Sequence, residues 1–181
     1  MSGSEFYGIL GHAGKEWARE HRRRNEGAFA ACEAVVFDCS HALHGKAGNL
    51  SLKHLLVSTL FGRCLDHFQA SVLLLEYGMV PAAKVVLRAL CDAMFACCAV
   101  SRNESAAQAY MDDDLRQRQK LLNKALSSTG RELATIRESA TPEAMVQLRN
   151  QIQESGAKEV KTEELAKLAG LHDWYLTVYL L

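Results

Sequence analysis

The chain has 181 residues, 49% apolar and 23% charged, with 21 Lys and Arg set against 21 Asp and Glu. A chain of that size buries a core without disulfides or metals, and the profile excludes a disordered or fibrous protein. Zero formal net charge removes bulk attraction to nucleic acid or anionic membrane and leaves room only for a local patch.

The opening MSGSEFYGILGHAGKEW lacks the basic end and continuous apolar stretch of a secretory signal, and no run approaches the roughly 20 apolar residues of a membrane span. A cytoplasmic protein with no membrane partner is expected. Two prolines in a chain rich in Ala, Leu, Glu, Arg and Gln predict an all-α fold. Residues 1–14, with Gly8, Gly11 and Gly14, read as a loose approach. A first helix is expected over 15–42, where Phe29, Cys32, Val36, Phe37, Ser40 and Leu43 recur at steps of three and four. HGKAGNLS, residues 44–51, reads as a linker ending in a cap at Ser51.

The second helix, 52–77, stops at Gly78, suited to a left-handed helix end, and Pro81 opens a third, 81–101. GMVP is therefore a tight turn between antiparallel helices. The third helix is apolar nearly all round, with Val85, Val86, Leu87, Leu90, Met94, Phe95 and Val100, which predicts a place in the middle of a bundle. Asn103 caps a fourth, 104–126, and RELATIRES reads as helical. Thr141 before Pro142 and Glu143 starts another, closed near Gly156. A short helix, 162–169, ends at Gly170, and a final one begins near His172. WYLTVYLL then ends without a closing signal, so it is expected either to pack in a core or partner interface or to stop short of a natural end. No repeat or second composition regime is present, which predicts one domain over 1–181: a single antiparallel bundle of six or seven helices around a long-helix hairpin, and the chain is expected to assemble as a homodimer.

In GRCLDHFQASVLLLEYG, residues 62–78, Arg63 and His67 sit one turn apart in an apolar stretch. A helical wheel puts Ser58, Gly62, Asp66, Gln69 and Glu76 on a wet face and Arg63 and His67 on the opposite arc with Leu56, Leu60 and Leu74. A buried guanidinium needs an anion. Folding the hairpin about Met79 brings Cys91 level with His67, with Asp92 one residue further along, a rise of about 1.5 Å, and within a turn of Arg63, and with Arg88 four residues before it. A buried or half-buried cluster of Arg63, His67, Arg88 and Asp92 is expected, with Tyr110 hydrogen-bonding into it. One reading makes it a register device that catalyses nothing. The other makes it an anion or phosphate site, with His67 able to move protons. Solvent exposure separates the two.

The stretch FGRCLDHFQASVLLLEYGMVPAAKVVLRALCDAMF, residues 61–95, resembles a bacterial helical domain family of unknown function, whose pattern Arg63, His67, Gly78, Ala83, Arg88 and Asp92 match, with Asp where Glu is usual. That family's pattern continues past a Tyr-rich helix into a Ser and His segment that does not follow Tyr175 and Tyr179 here. A second resemblance is to HEPN ribonucleases, dimers in which an Arg and a His separated by four to six residues cleave RNA without metal; here only three residues separate them. That resemblance implies His67 in acid–base catalysis and Arg63 stabilising phosphate charge. Whether the chain is an enzyme stays open at this point.

KEWAREHRRRNE, residues 15–26, gathers Lys15 and Arg19 to Arg24 beside Trp17 and His21, a candidate surface for nucleic acid or nucleotide against the plainer reading of a solvated face, since Glu16, Glu20 and Glu26 are interleaved. In YMDDDLRQRQK, residues 110–120, adjacent helical carboxylates diverge by about 100°, so i,i+4 pairs Asp112–Arg116 and Asp114–Arg118 are expected rather than a metal site. Cys32, Cys39, Cys64, Cys91, Cys97 and Cys98 lie in apolar helical segments without ligand spacing and are expected buried and reduced. HGKAG lacks the phosphate-loop spacing, and no dinucleotide fingerprint, nucleophile elbow or zinc-protease motif occurs, so no cofactor or metal is expected.

Overall fold

The computed structural model describes residues 9, 11–44 and 51–180. Among them the chain is all-α, with no strand. The helices are α1 (His12–Arg24), α2 (Glu26–His44), α3 (Leu52–Glu76), α4 (Val80–Arg102), α5 (Glu104–Ser127), α6 (Ala134–Ser139), α7 (Pro142–Ser155), α8 (Thr162–Leu168) and α9 (His172–Leu180), with a 3₁₀ turn at Arg131–Leu133 before α6. No described helix is long and apolar enough to cross a membrane.

Nine helices among the described residues replace the six or seven expected. One reason is Asn25, which divides the predicted first helix into α1 and α2. It leaves helical geometry at φ −118° and ψ 29°, its side-chain amide donates to the His21 carbonyl at 2.9 Å, and its own carbonyl accepts from Ala28 and Phe29 to start α2. α1 also begins at His12, inside the stretch expected to be loose, with Gly11 as its N-cap. Residues 1–8, 10 and 45–50 lie outside the described residues, and with them the remainder of that stretch and most of the HGKAGNLS linker.

The α3–α4 hairpin is the main tertiary contact. Ser51 caps α3 by accepting from the His54 N–H at 3.3 Å. At the other end Gly78 takes φ +69°, a conformation that a side chain disfavours, and its N–H donates to the Leu75 carbonyl at 2.9 Å. Pro81 then falls in the first turn of α4, where no N–H is needed.

The core forms where the far half of α4 meets α3, α5 and α8. Phe95, Ala99 and Val100 are fully buried there with Leu60, Ala106, Ala107, Leu165, Ala166 and Ala169, and Tyr175 and Tyr179 of α9 pack on its edge. Burying Phe95 and Val100 contributes about 1.5–3 kcal/mol each. Leu148, Ile152 and Ala157 form a second cluster against Leu115 and Leu122 of α5. The near half of α4 differs from expectation. Val85 is 71% exposed and Leu87 and Val80 are also exposed, because α5 and α8 reach only the later turns. The wet face read from the wheel of α3 is only partly open: Asp66 is exposed, but Ser58, Gly62, Gln69 and Glu76 are half-buried, a Cβ on Gly62 would meet Leu43 at 3.8 Å, and Glu76 pairs with Arg22 at 3.3 Å, because α1 and α2 lie on that side.

Candidate ligand pocket between the central helices

Arg63 and His67 are one turn apart on α3, and the hairpin sets them opposite Ala89, Asp92, Ala93 and Ala96 of α4. Tyr110 of α5 and Val160, Thr162 and Leu165 from the start of α8 complete the wall of an open cavity of about 370 Å³. Its size lies within the range of small-molecule sites. Ala89, Ala93 and Ala96 recur at spacings of four and three, so one stripe of α4 presents only methyl groups to the cavity and leaves the volume that longer side chains fill elsewhere.

The buried charged cluster expected from the sequence does not form. Arg63 and Arg88 are exposed, while His67, Asp92 and Tyr110 are half-buried. The inward face of α3 is carried instead by Leu60, Leu65 and Ser71, whose hydroxyl is satisfied by the His67 carbonyl at 2.8 Å. Sealing a guanidinium behind them would cost several kcal/mol without a partner, to order of magnitude. Arg63 makes no ion pair or hydrogen bond with any described residue, Asp92 included. Tyr110 shares the wall but makes no hydrogen bond into the group among the described residues.

Arg88 stands outside this wall. Its guanidinium lies 4.0 Å above the ring of Tyr179, a favourable cation–π arrangement, and it lines a neighbouring cavity with Lys84, Cys91 and Val178. The Tyr179 hydroxyl donates to Oδ1 of Asp92. Burial first, and then the Asp92 contact, push the Tyr179 phenol up to about 12, although Arg88 acts in the opposite direction. The Tyr179 ring stacks on Tyr175 at 4.7 Å and 16°, and Tyr175 in turn meets Phe95 in the core at 6.3 Å. Sequence reasoning missed this aromatic relay and the alanine stripe. Their signals were two tyrosines four apart in WYLTVYLL and three alanines on one face of α4.

Larger concavities do not gather comparable chemistry. A cavity of about 500 Å³ between α2 and α3 is lined mainly by Cys32, Val36, Phe37, Val72 and Leu73, and its charges are already matched, Arg22 pairing with both Glu33 and Glu76. In the basic stretch of α1, Glu20 accepts from Arg23 and from Arg24 at 2.8 Å, and these contacts, Arg23 first, draw its carboxyl down to about 2. The three carboxylates of α5 diverge. Asp114 pairs with Arg118 at 2.6 Å as expected, Asp112 accepts from Gln108 rather than from Arg116, and Asp113 accepts from the Val160 N–H at 3.1 Å. Arg116 instead donates to the Ala157 carbonyl at 2.9 Å, fastening α5 to the end of α7.

All six cysteines are free thiols and half-buried, less enclosed than expected. A hydrogen bond with Cys97, and then burial, push the Cys64 thiol up, which keeps it protonated and a poor nucleophile.

The family model for a family of unknown function, DUF5677, matches residues 54–181, a span that holds every residue of the pocket. The chain belongs to DUF5677. The matched span begins in the first turn of α3 and takes in the hairpin, α5 and α8, so the elements that build this site in the DUF5677 chain all lie within it, while α1 and α2 precede it. No curated protein and no solved structure matches the chain.

Proposed function

We propose that this DUF5677 chain binds a small phosphate-bearing ligand in the α3–α4 pocket, with Arg63 as its anion-binding group. The observation that carries this reading is an exposed guanidinium without an ion-pair partner among the described residues, placed on the rim of a ligand-sized cavity. Arginine offers a planar set of donors matched to phosphate oxygens, and a group left unsatisfied by its own protein supplies that set at little desolvation cost. A register device would show the opposite, an arginine enclosed and paired.

Calorimetric titration of the full chain with inorganic phosphate and pyrophosphate tests the proposal. Saturable binding that Arg63→Ala weakens about tenfold or more, the scale of a charge-assisted hydrogen bond, supports it. Binding that is absent, or untouched by that substitution, rejects it.

A second reading is favoured by His67 in the same open wall. Arg63 and His67 together supply the two roles of metal-independent RNA cleavage, stabilisation of phosphate charge and proton transfer, as the resemblance to HEPN ribonucleases implies. Incubation of a labelled single-stranded RNA with the chain and with His67→Ala tests it. Cleavage that falls by about 10²–10⁴ at unchanged melting temperature supports this reading, and intact RNA in both samples ends it.

A further inference from the structure

Resting on the phosphate-pocket reading, we propose that the site selects phosphate monoesters that also carry hydroxyl or amine donors, and that Tyr179 is the positioning residue holding Asp92 to receive those donors. The two charged residues of the wall have opposite sign. Arg63 offers only donors and Asp92, when ionised, only acceptors. In the hairpin register Asp92 stands one residue's rise, about 1.5 Å, beyond the level of His67 and about three residues, roughly 4.5 Å, from the level of Arg63. A bare phosphate, all acceptor on its ionised oxygens, satisfies Arg63 and is repelled by the carboxylate. An ester with its phosphate at Arg63 and an O–H or N–H group one turn away satisfies both.

Asp92 is prepared for that role. Its Oδ1 is occupied by the Tyr179 hydroxyl, whereas Oδ2 has no partner among the described residues. Tyr179 is in turn held by the Arg88 guanidinium over its ring and by Tyr175, which stacks on it and meets core residue Phe95. The phenol remains a neutral donor well above physiological pH. Locking one oxygen of a carboxylate fixes its plane and leaves the other preorganised for a ligand, so less ordering is required on binding. Ribose hydroxyls and the amino groups of a nucleobase share this donor chemistry, so sugar phosphates and nucleotides are its two sources.

The full chain is titrated calorimetrically with inorganic phosphate, ribose 5-phosphate and the four nucleoside 5′-monophosphates. The esters are expected to bind about tenfold tighter than phosphate, with Asp92→Asn and Tyr179→Phe each reducing ester affinity about five- to tenfold and leaving phosphate affinity unchanged or improved. Tyr179→Phe in the Asp92→Asn background is expected to add no further loss. A base-dependent gain over ribose 5-phosphate identifies nucleotides as the source, and equal affinities identify sugar phosphates. Esters no tighter than phosphate, or a Tyr179→Phe effect that persists without the carboxylate, overturn this inference while the phosphate reading stands. Loss of all binding, or indifference of every probe to Arg63→Ala, overturns both. Absorbance at 295 nm gives a readout independent of ligand: Asp92→Asn is expected to bring the late-ionising tyrosine to lower pH, and an unmoved titration shows that Tyr179 does not hold Asp92.

Discussion

The indole of Trp17 lies against Gly78, where a Cβ would meet the ring's Cη2 at 2.5 Å. This contact ties α1 to the turn of the central hairpin. Gly78 also has φ +69°, so both the backbone and the ring require glycine there. Gly78→Ala is expected to cost about 1–3 kcal/mol, combining the left-handed backbone with displacement of the indole. Thermal melting should fall by roughly 2–4 °C per kcal/mol for a chain of this size. Trp17→Ala is expected to relieve part of the Gly78→Ala penalty, which a double-mutant cycle measures directly.

Arg63 and Leu60 lie within one turn of α3 but serve different ends. Leu60, 3% exposed, belongs to the core, and Leu60→Ala should cost about 2–5 kcal/mol in a denaturant melt. Arg63→Ala removes an exposed side chain without an internal partner and should stay within about 0.5 kcal/mol of the parent. A large loss of stability at Arg63 would return it to a structural role.

Ala89 lines the pocket and is half-buried. Ala89→Met should fill cavity volume without invading the fully buried core around Ala99 and Val100, so phosphate or ester binding should fall at least about tenfold while melting changes by about 1 kcal/mol or less. Calorimetry and thermal melting on the same sample decide it.

The Tyr179 phenol supplies a pH signature. Its ionisation is raised from the ordinary 10.0 to about 12, so the folded chain favours the neutral phenol more than the unfolded chain does. The contribution is therefore complete below pH 10 and is lost as pH rises through about 12. Spectrophotometric titration should show one tyrosine ionising late, and Tyr179→Phe should remove that component alone.

Thr141 caps α7 by accepting from the Ala144 N–H at 3.2 Å. Thr141→Ala is expected to cost about 1 kcal/mol, and Thr141→Ser to restore most of it, in urea unfolding.

The helical hairpin was legible because its punctuation is local. Ser51, Gly78, Pro81 and Thr141 each act on the backbone within a turn of their own position. That Arg63, His67 and Asp92 would line one cavity was legible for the same reason, since a short turn fixes the register of two antiparallel helices. Exposure was not legible. A wheel for α3 records which residues share an arc but not which arcs are covered, and that depends on α1, α2 and α8, whose docking is set by contacts distant in sequence. Arg88 was assigned to the group on spacing from Asp92, whereas its orientation is decided by the ring of Tyr179. The break at Asn25 escaped the apolar periodicity because that residue interrupts the helix without altering the spacing of large side chains around it.

The wall of the pocket is drawn from distant parts of the chain: α3 and α4 supply the charges, α8 the far side, and α9 the tyrosine that reaches Asp92. During synthesis the hairpin emerges from the ribosome well before Thr162 and Tyr179 do. A nascent chain can thus carry Arg63, His67 and Asp92 in register before α8 is made, so the cavity gains its far side only when that later helix docks on the hairpin.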